Sequence, residues 1–137
     1  MAHLYGAEHV HRYRETDGEE GHDWRRGAPT LLLTTTGRRS GTQHTTPLIY
    51  QQDGDRYVVV ASKGGADTPP DWYHNIEQDP EVEVQVWGDR FTARARTASE
   101  DEKDRLWPVM TAVWPDYDAY QRTTERAIPL VILERAP

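Results

Sequence analysis

Apolar and polar positions fall into short runs of β character, punctuated by turn residues, and long helical stripes are absent. From Thr30 the chain reads TLLLTTT and closes on Gly37. A continuous apolar centre of that length predicts a strand buried on both faces. Residues 45–51 and 56–62 are two further β-rich runs. Asp53-Gly54 between them is a hairpin signal, which sets Ile49 opposite Val58 and Tyr50 opposite Tyr57. A second hairpin joins residues 81–87 to 90–98 through Gly88-Asp89. Its pairing sets Val86, Val84 and Val82 against Phe91, Ala93 and Ala95, with Glu83 meeting Arg94 and Glu81 meeting Arg96 on the other face. Residues 128–134 form a sixth strand, with Pro129 tolerable at its start.

The helical signals are short. Residues 7–13 read as a helix ahead of an acidic loop, Asp17-Gly18-Glu19-Glu20-Gly21. Thr68-Pro69-Pro70-Asp71 reads as a helix start, with Thr68 as cap and Asp71 completing the box. That helix runs to about Gln78 and shows Trp72, Tyr73 and Ile76 on one side. Ser99-Glu100-Asp101-Glu102 is a capping box opening a helix through Leu106, which Pro108 breaks or kinks. A last short helix covers 117–123 after Trp114-Pro115-Asp116. Two hairpins argue against a wound parallel sheet. Six antiparallel strands with three or four short helices predict a mainly β (α+β) fold, a small barrel whose closure removes the edges. Residues 1–28 read as a polar helix and loop, and 29–137 as one domain.

Composition narrows the chemistry. With 137 residues and no Cys, disulfides, Cys-ligated zinc, iron–sulfur clusters and thiol nucleophiles are excluded. No apolar run reaches the ~18–20 residues of a membrane span. No signal-peptide core is present, so a cytoplasmic location is expected. A net charge of −7 argues against a nucleic-acid partner. The six His show no metal-ligand spacing, so no metal site is expected.

Against that acidic background, two turns are basic. Gly37-Arg38-Arg39-Ser40-Gly41 offers two guanidinium groups, a hydroxyl and flexible amides, which suits a phosphate or carboxylate. The same residues also make an ordinary solvated turn. Ala61-Ser62-Lys63-Gly64-Gly65 places one of only two lysines between a hydroxyl and a Gly pair. Trp114, Tyr117 and Tyr120 share a spacing of three, as a packed amphipathic face or a ligand wall would.

TTTGRRSG, TPLIY, ASKGG, the PxWYHN helix, DPEVEVQV, RLWP, WPDYDAYQRTT and IPLVILE stand in order from about Pro29 to Glu134. Together they resemble the deazaflavin-dependent nitroreductase family of actinobacteria. The resemblance implies a split β-barrel akin to flavin-binding pyridoxamine-phosphate-oxidase-like barrels. It implies reduced coenzyme F420, a deazaflavin with a phosphodiester and an oligoglutamate tail, as hydride source for quinones, nitro compounds or activated alkenes. Arg38, Arg39 and Ser40 would hold the phosphate and tail, with His44, Thr45 and Thr46 continuing that wall. Val60, Ala61, Ser62 and Lys63 would run beside the ring and its phosphate, and Trp72, Tyr73, His74 and Asn75 would flank it. Trp114, Tyr117 and Tyr120 would line the substrate side, with Tyr117 or Ser62 as proton donor. Relatives often carry Arg or Lys where this chain has Gln43 and His44, a bulky apolar residue at Asp71, and in some a Tyr at Trp114. FMN on the same barrel and a non-enzymatic F420-binding protein are the alternative readings. Both a monomer and a homodimer fit the sequence.

Overall fold

The computed structural model describes Leu4 and residues 6–136. Six antiparallel strands close into a barrel in the order β1-β2-β3-β6-β5-β4. They are β1 (Thr30–Thr36), β2 (Gln43–Asp53), β3 (Arg56–Val60), β4 (Glu81–Val86), β5 (Asp89–Thr97) and β6 (Leu130–Arg135). Among the described residues four α-helices surround them: α1 (Gly6–Glu15), α2 (Asp71–Gln78), α3 (Glu100–Val113) and α4 (Asp116–Arg122). β1 is buried on both faces through six of its seven residues, as its apolar run predicts.

Strand alternation divides the apolar residues between two cores. Leu31, Leu33, Tyr50, Val59, Val82, Val84, Ala93, Val131 and Leu133 fill the barrel interior. Trp72 and Ile76 of α2 join them and close one end. On the outer face, Val58, Val60, Leu130 and Ile132 pack beneath Leu106 and Met110 of α3, Trp114 at its C-terminal cap and Tyr117 of α4.

Both hairpins differ from the predicted register by two residues. In the first, Asp53 pairs with Arg56 and Tyr50 with Val59, so the turn is Gly54-Asp55. Gly54 takes the left-handed φ of 63°. Asp53 is kept in the ladder by Arg56 and by Arg105, whose Nη atoms donate to its carboxylate at 2.9 and 3.0 Å. In the second, Val84 pairs with Phe91 and Glu81 with Arg94, so Trp87-Gly88 makes the turn. Trp87 has φ 55°, unusual for a bulky residue. Its amide donates to Tyr13 Oη at 2.9 Å and its ring stacks on His22 at 3.8 Å, contacts that offset the strain. A slip of two leaves every side chain on its predicted face, which is why the patterning could not detect it.

Two helix expectations are corrected as well. Pro70, not Thr68, occupies the cap position of α2, and no side chain caps that helix. α3 is not broken at Pro108 and continues to Val113. Its capping box is present in full, with Ser99 Oγ accepting from the Glu102 amide and Glu102 accepting from the Ser99 amide. Leu106 and Met110, four apart and both buried, lie on either side of the proline. Their packing offsets the cost of an interior proline, a lost helical bond and a ring clash together worth roughly 3 kcal/mol.

The N-terminal segment docks against the barrel. Tyr13 is fully buried and its hydroxyl donates to Thr30 O at 2.9 Å. His22 Nε2 lies 2.8 Å from Tyr50 Oη.

Candidate active site

Two cavities lie side by side and share Trp72. The first is a polar basin of about 480 Å³ at the barrel end that α2 closes, lined by Arg38, Arg39, Ser40, His44, Thr45, Thr46 and Asn75. The β1–β2 turn builds most of it. Gly37 packs closely there: a Cβ would stand 2.8 Å from Ser40 Oγ and 3.0 Å from His44 Nε2, so those side chains would have to shift. Ser40 Oγ, Thr42 Oγ1 and His44 Nε2 follow one another at 2.7 and 3.3 Å.

Asn75 organises the basin from α2. It is buried, and its Oδ1 accepts from both the Arg38 amide at 3.2 Å and Arg38 Nη1 at 3.0 Å. Its Nδ2 donates to Thr35 Oγ1 at 3.1 Å. Asp71 stands 3.6 Å from Arg38 Nη2, but its side chain is 90% exposed, so that ion pair neutralises Arg38 weakly. Arg39 is exposed.

The second cavity is an aromatic slot of about 270 Å³ on the outer face of β2 and β3. Pro47, Ile49 and Val60 form its floor, Trp114 at the end of α3 with Tyr117 and Tyr120 of α4 one wall, and Ser62, Lys63 and Gly64 one rim. Trp114 Nε1 donates to Tyr120 Oη at 3.3 Å. The Tyr117 hydroxyl has no hydrogen-bond partner among the described residues, yet it is not sealed from solvent. Burial, with a smaller contribution from Tyr120, pushes its pKa well above the ordinary tyrosine value. It is therefore a neutral O–H on a residue that lines the slot, able to donate and unsuited to act as a base. At the slot rim the chain passes from Ser62 in the right-handed helical region to Lys63 at φ 47°. That succession turns neighbouring amides to one side as an anion-binding nest.

Not every expected residue reaches the cavities. Ala61 is fully buried in the barrel core. Tyr73 bonds Thr97 Oγ1 at 2.8 Å and His74 lies 3.2 Å from Glu77, and neither lines the basin or the slot. Conversely, His9 and Trp24 of the N-terminal segment line the slot, which the polar reading of that segment missed. Trp24 stacks on Trp114 with centroids 5.5 Å apart, and Arg26 lies 3.9 Å from the Trp114 ring. Tyr13 four residues after His9, and Trp24 within a polar run, are the only sequence signs of docking. Among the described residues no three His, Asp or Glu gather where a metal could sit.

A family model described as F420H(2)-dependent quinone reductase matches residues 5–135. The chain belongs to that family. Reduced F420 is the hydride donor of an F420H(2)-dependent quinone reductase and a quinone-type compound its acceptor, so the chain is an oxidoreductase. An F420H(2)-dependent quinone reductase of Mycobacterium tuberculosis strain H37Rv is 42% identical over 126 residues, 90% of this chain and 85% of that protein. A solved F420-H2 dependent reductase, FDR-A, is 36% identical with TM-score 0.72, covering 77% of this chain and 94% of its own. A solved structure described as a domain-swapped dimer is 35% identical with TM-score 0.76, covering 93% and 92%. A putative pyridoxamine 5'-phosphate oxidase from Listeria innocua, 14% identical with TM-score 0.57 and covering 79% and 84%, shares the barrel fold. Among the described residues no helix is long and apolar enough to cross a membrane.

Proposed function

We propose that basin and slot act as one groove in a cytoplasmic quinone reductase, the basin taking the anionic arm of F420 and the slot its ring and the acceptor. The observation that carries this reading is the junction at Trp72, where a basic, hydroxyl-lined recess runs into an aromatic cleft. A molecule with a flat ring and a charged arm needs both environments in contact. The residues fit the group: Arg38 and Arg39 offer guanidinium groups to a charged arm, and Ser62-Lys63 takes the right- then left-handed backbone of an anion nest.

Arg38, Arg39 and Ser40 would hold the phosphodiester and tail, with Asn75 fixing Arg38 and His44, Thr45 and Thr46 forming the far wall. Ser62 and Lys63 would hold the part of the arm nearest the ring, and Val60 and Trp72 would flank the ring itself. Trp24, Ile49 and Trp114 exclude water from the slot. Tyr117 keeps a proton at Oη for the reduced acceptor, and the Ser62 hydroxyl is the second donor on the same cleft. Flat nitro compounds and activated alkenes suit the same walls as a quinone.

The test is a titration of the purified chain with F420 and with FMN, followed by turnover with a quinone and a nitroaromatic. Tight binding of F420, weak binding of FMN and turnover of the quinone are expected. Equal affinity for both, or F420 binding with no turnover, would overturn the assignment of this groove.

A further inference from the structure

Arg126 stands in the turn between α4 and β6 and lines neither the basin nor the slot. Its guanidinium nevertheless grips the back of the loop that follows β3. Nε donates to Ala66 O at 2.7 Å and Nη2 to Ser62 O at 2.8 Å, while Nη1 and Nη2 both reach Ala61 O at 3.3 Å. The planar fork of donors thus satisfies three carbonyls of one short loop.

That loop has an uncommon backbone shape. Lys63, Gly64 and Gly65 have φ of 47°, 64° and 86°, a left-handed run that includes a lysine. Ser62 before them is right-handed. The succession sends amides to one side and carbonyls to the other. Among the described residues the amides of Lys63 and Gly64 donate to no protein acceptor. Arg126 collects the carbonyls of Ser62 and of the flanking Ala61 and Ala66, while Gly65 O accepts from Thr123 Oγ1 at 3.2 Å. It is itself held by α4: Gln121 Nε2 donates to Arg126 O at 2.8 Å, and Gln121 Oε1 accepts from the Ile128 amide at 2.9 Å. The helix that supplies Tyr117 and Tyr120 to the slot therefore also anchors this clamp.

We infer that Arg126 is a positioning residue for the cofactor: it shapes the Ser62–Gly64 nest and aims Lys63 from behind, before any ligand arrives and without touching it. The inference rests on the reading of the groove as the F420 site. Two measurements on the full chain separate them. Arg126→Gln and Arg126→Lys are made alone and with Lys63→Ala. Amide exchange is followed without ligand at Gly65 and Ala66, whose N–H groups bond back to Ser62 O and Lys63 O. In Arg126→Gln their exchange should quicken roughly tenfold or more, with the barrel strands unchanged. F420 affinity should fall on the order of ten- to a hundredfold, and Lys63→Ala should add little in that background. Arg126→Lys, which keeps the charge but not the planar fork, should recover only part of the affinity. Unchanged exchange in the loop, or losses from the two substitutions that multiply as independent sites, overturn the inference. If the unsubstituted chain does not bind F420, the groove reading fails alone, and loop exchange still decides what Arg126 does. If Arg126→Gln does not fold, Arg126→Lys is read by the same two measurements.

Discussion

Tyr117 and Tyr120 sit three residues apart on one helix, and the Tyr117 hydroxyl has no hydrogen-bond partner among the described residues. Tyr120 Oη already accepts from Trp114. Tyr117→Phe should therefore keep F420 affinity and lower quinone turnover about a hundredfold, the low end for general acid catalysis. Steady-state rates beside a melting curve test this, since a packing role would leave turnover intact. Because burial raises the Tyr117 pKa, its proton is present throughout the neutral range. A pH–rate profile should show no loss from this group until the medium is more alkaline than an ordinary tyrosine requires, ~10. Arg38 makes the complementary case. Its weak pairing with exposed Asp71 leaves most of its charge available, so Arg38→Ala should weaken F420 binding by about 1.5–3 kcal/mol. The loss should shrink in high salt, as a salt series of titrations would show.

Between elements, contacts decide what local patterns leave open. Gly65 shows this. A Cβ there would lie 2.8 Å from Tyr120 O and 2.9 Å from Tyr120 Cα, on a backbone already at φ 86°. Gly65→Ala should push the loop off α4 and weaken F420 binding more than it lowers the melting temperature, because α4 and the barrel keep their own cores. Calorimetry and titration of one sample compare the two. The features legible in the sequence were those settled within a few residues. Examples are the Ser99–Glu102 box, the faces of the hairpins and the basic turn at Gly37–Gly41. What stayed hidden depends on partners far along the chain. Asp53 stays in its ladder because Arg105 reaches it, and Trp87 accepts a left-handed turn because Tyr13 and His22 receive it. The Arg126 clamp joins a residue to a loop about sixty positions earlier. His9 and Trp24 in the slot likewise follow from docking of the whole N-terminal segment.

Over the whole molecule, acid should loosen the end of the barrel where α3 begins. Hydrogen bonds from Arg105, with help from Arg56, lower the Asp53 pKa to about 2. Arg96 and the Ser99 amide hold Glu102 well below the usual carboxylate range. Depressed carboxylates contribute stability above their unfolded values, ~4, and lose it as pH falls through the folded ones. Melting temperature should therefore hold between pH 7 and 5 and drop from pH 4 towards 2, with a shallower drop in Glu102→Gln. Thermal scans across that range check the sign. At the other end, Trp72 is rooted in the barrel core and stands where the basin meets the slot. The distance from charged anchor to stacking surface is thereby built into the scaffold, and the groove works as a caliper. A ligand is gauged first by the reach between its ring and its anion, and only then by the chemistry of the ring. A deazaflavin cut short of its charged arm should still slide between the aromatic walls, but bind far more weakly and without salt dependence. Successively longer arms should restore affinity in steps, each marking the residue that the growing chain has just come within reach of.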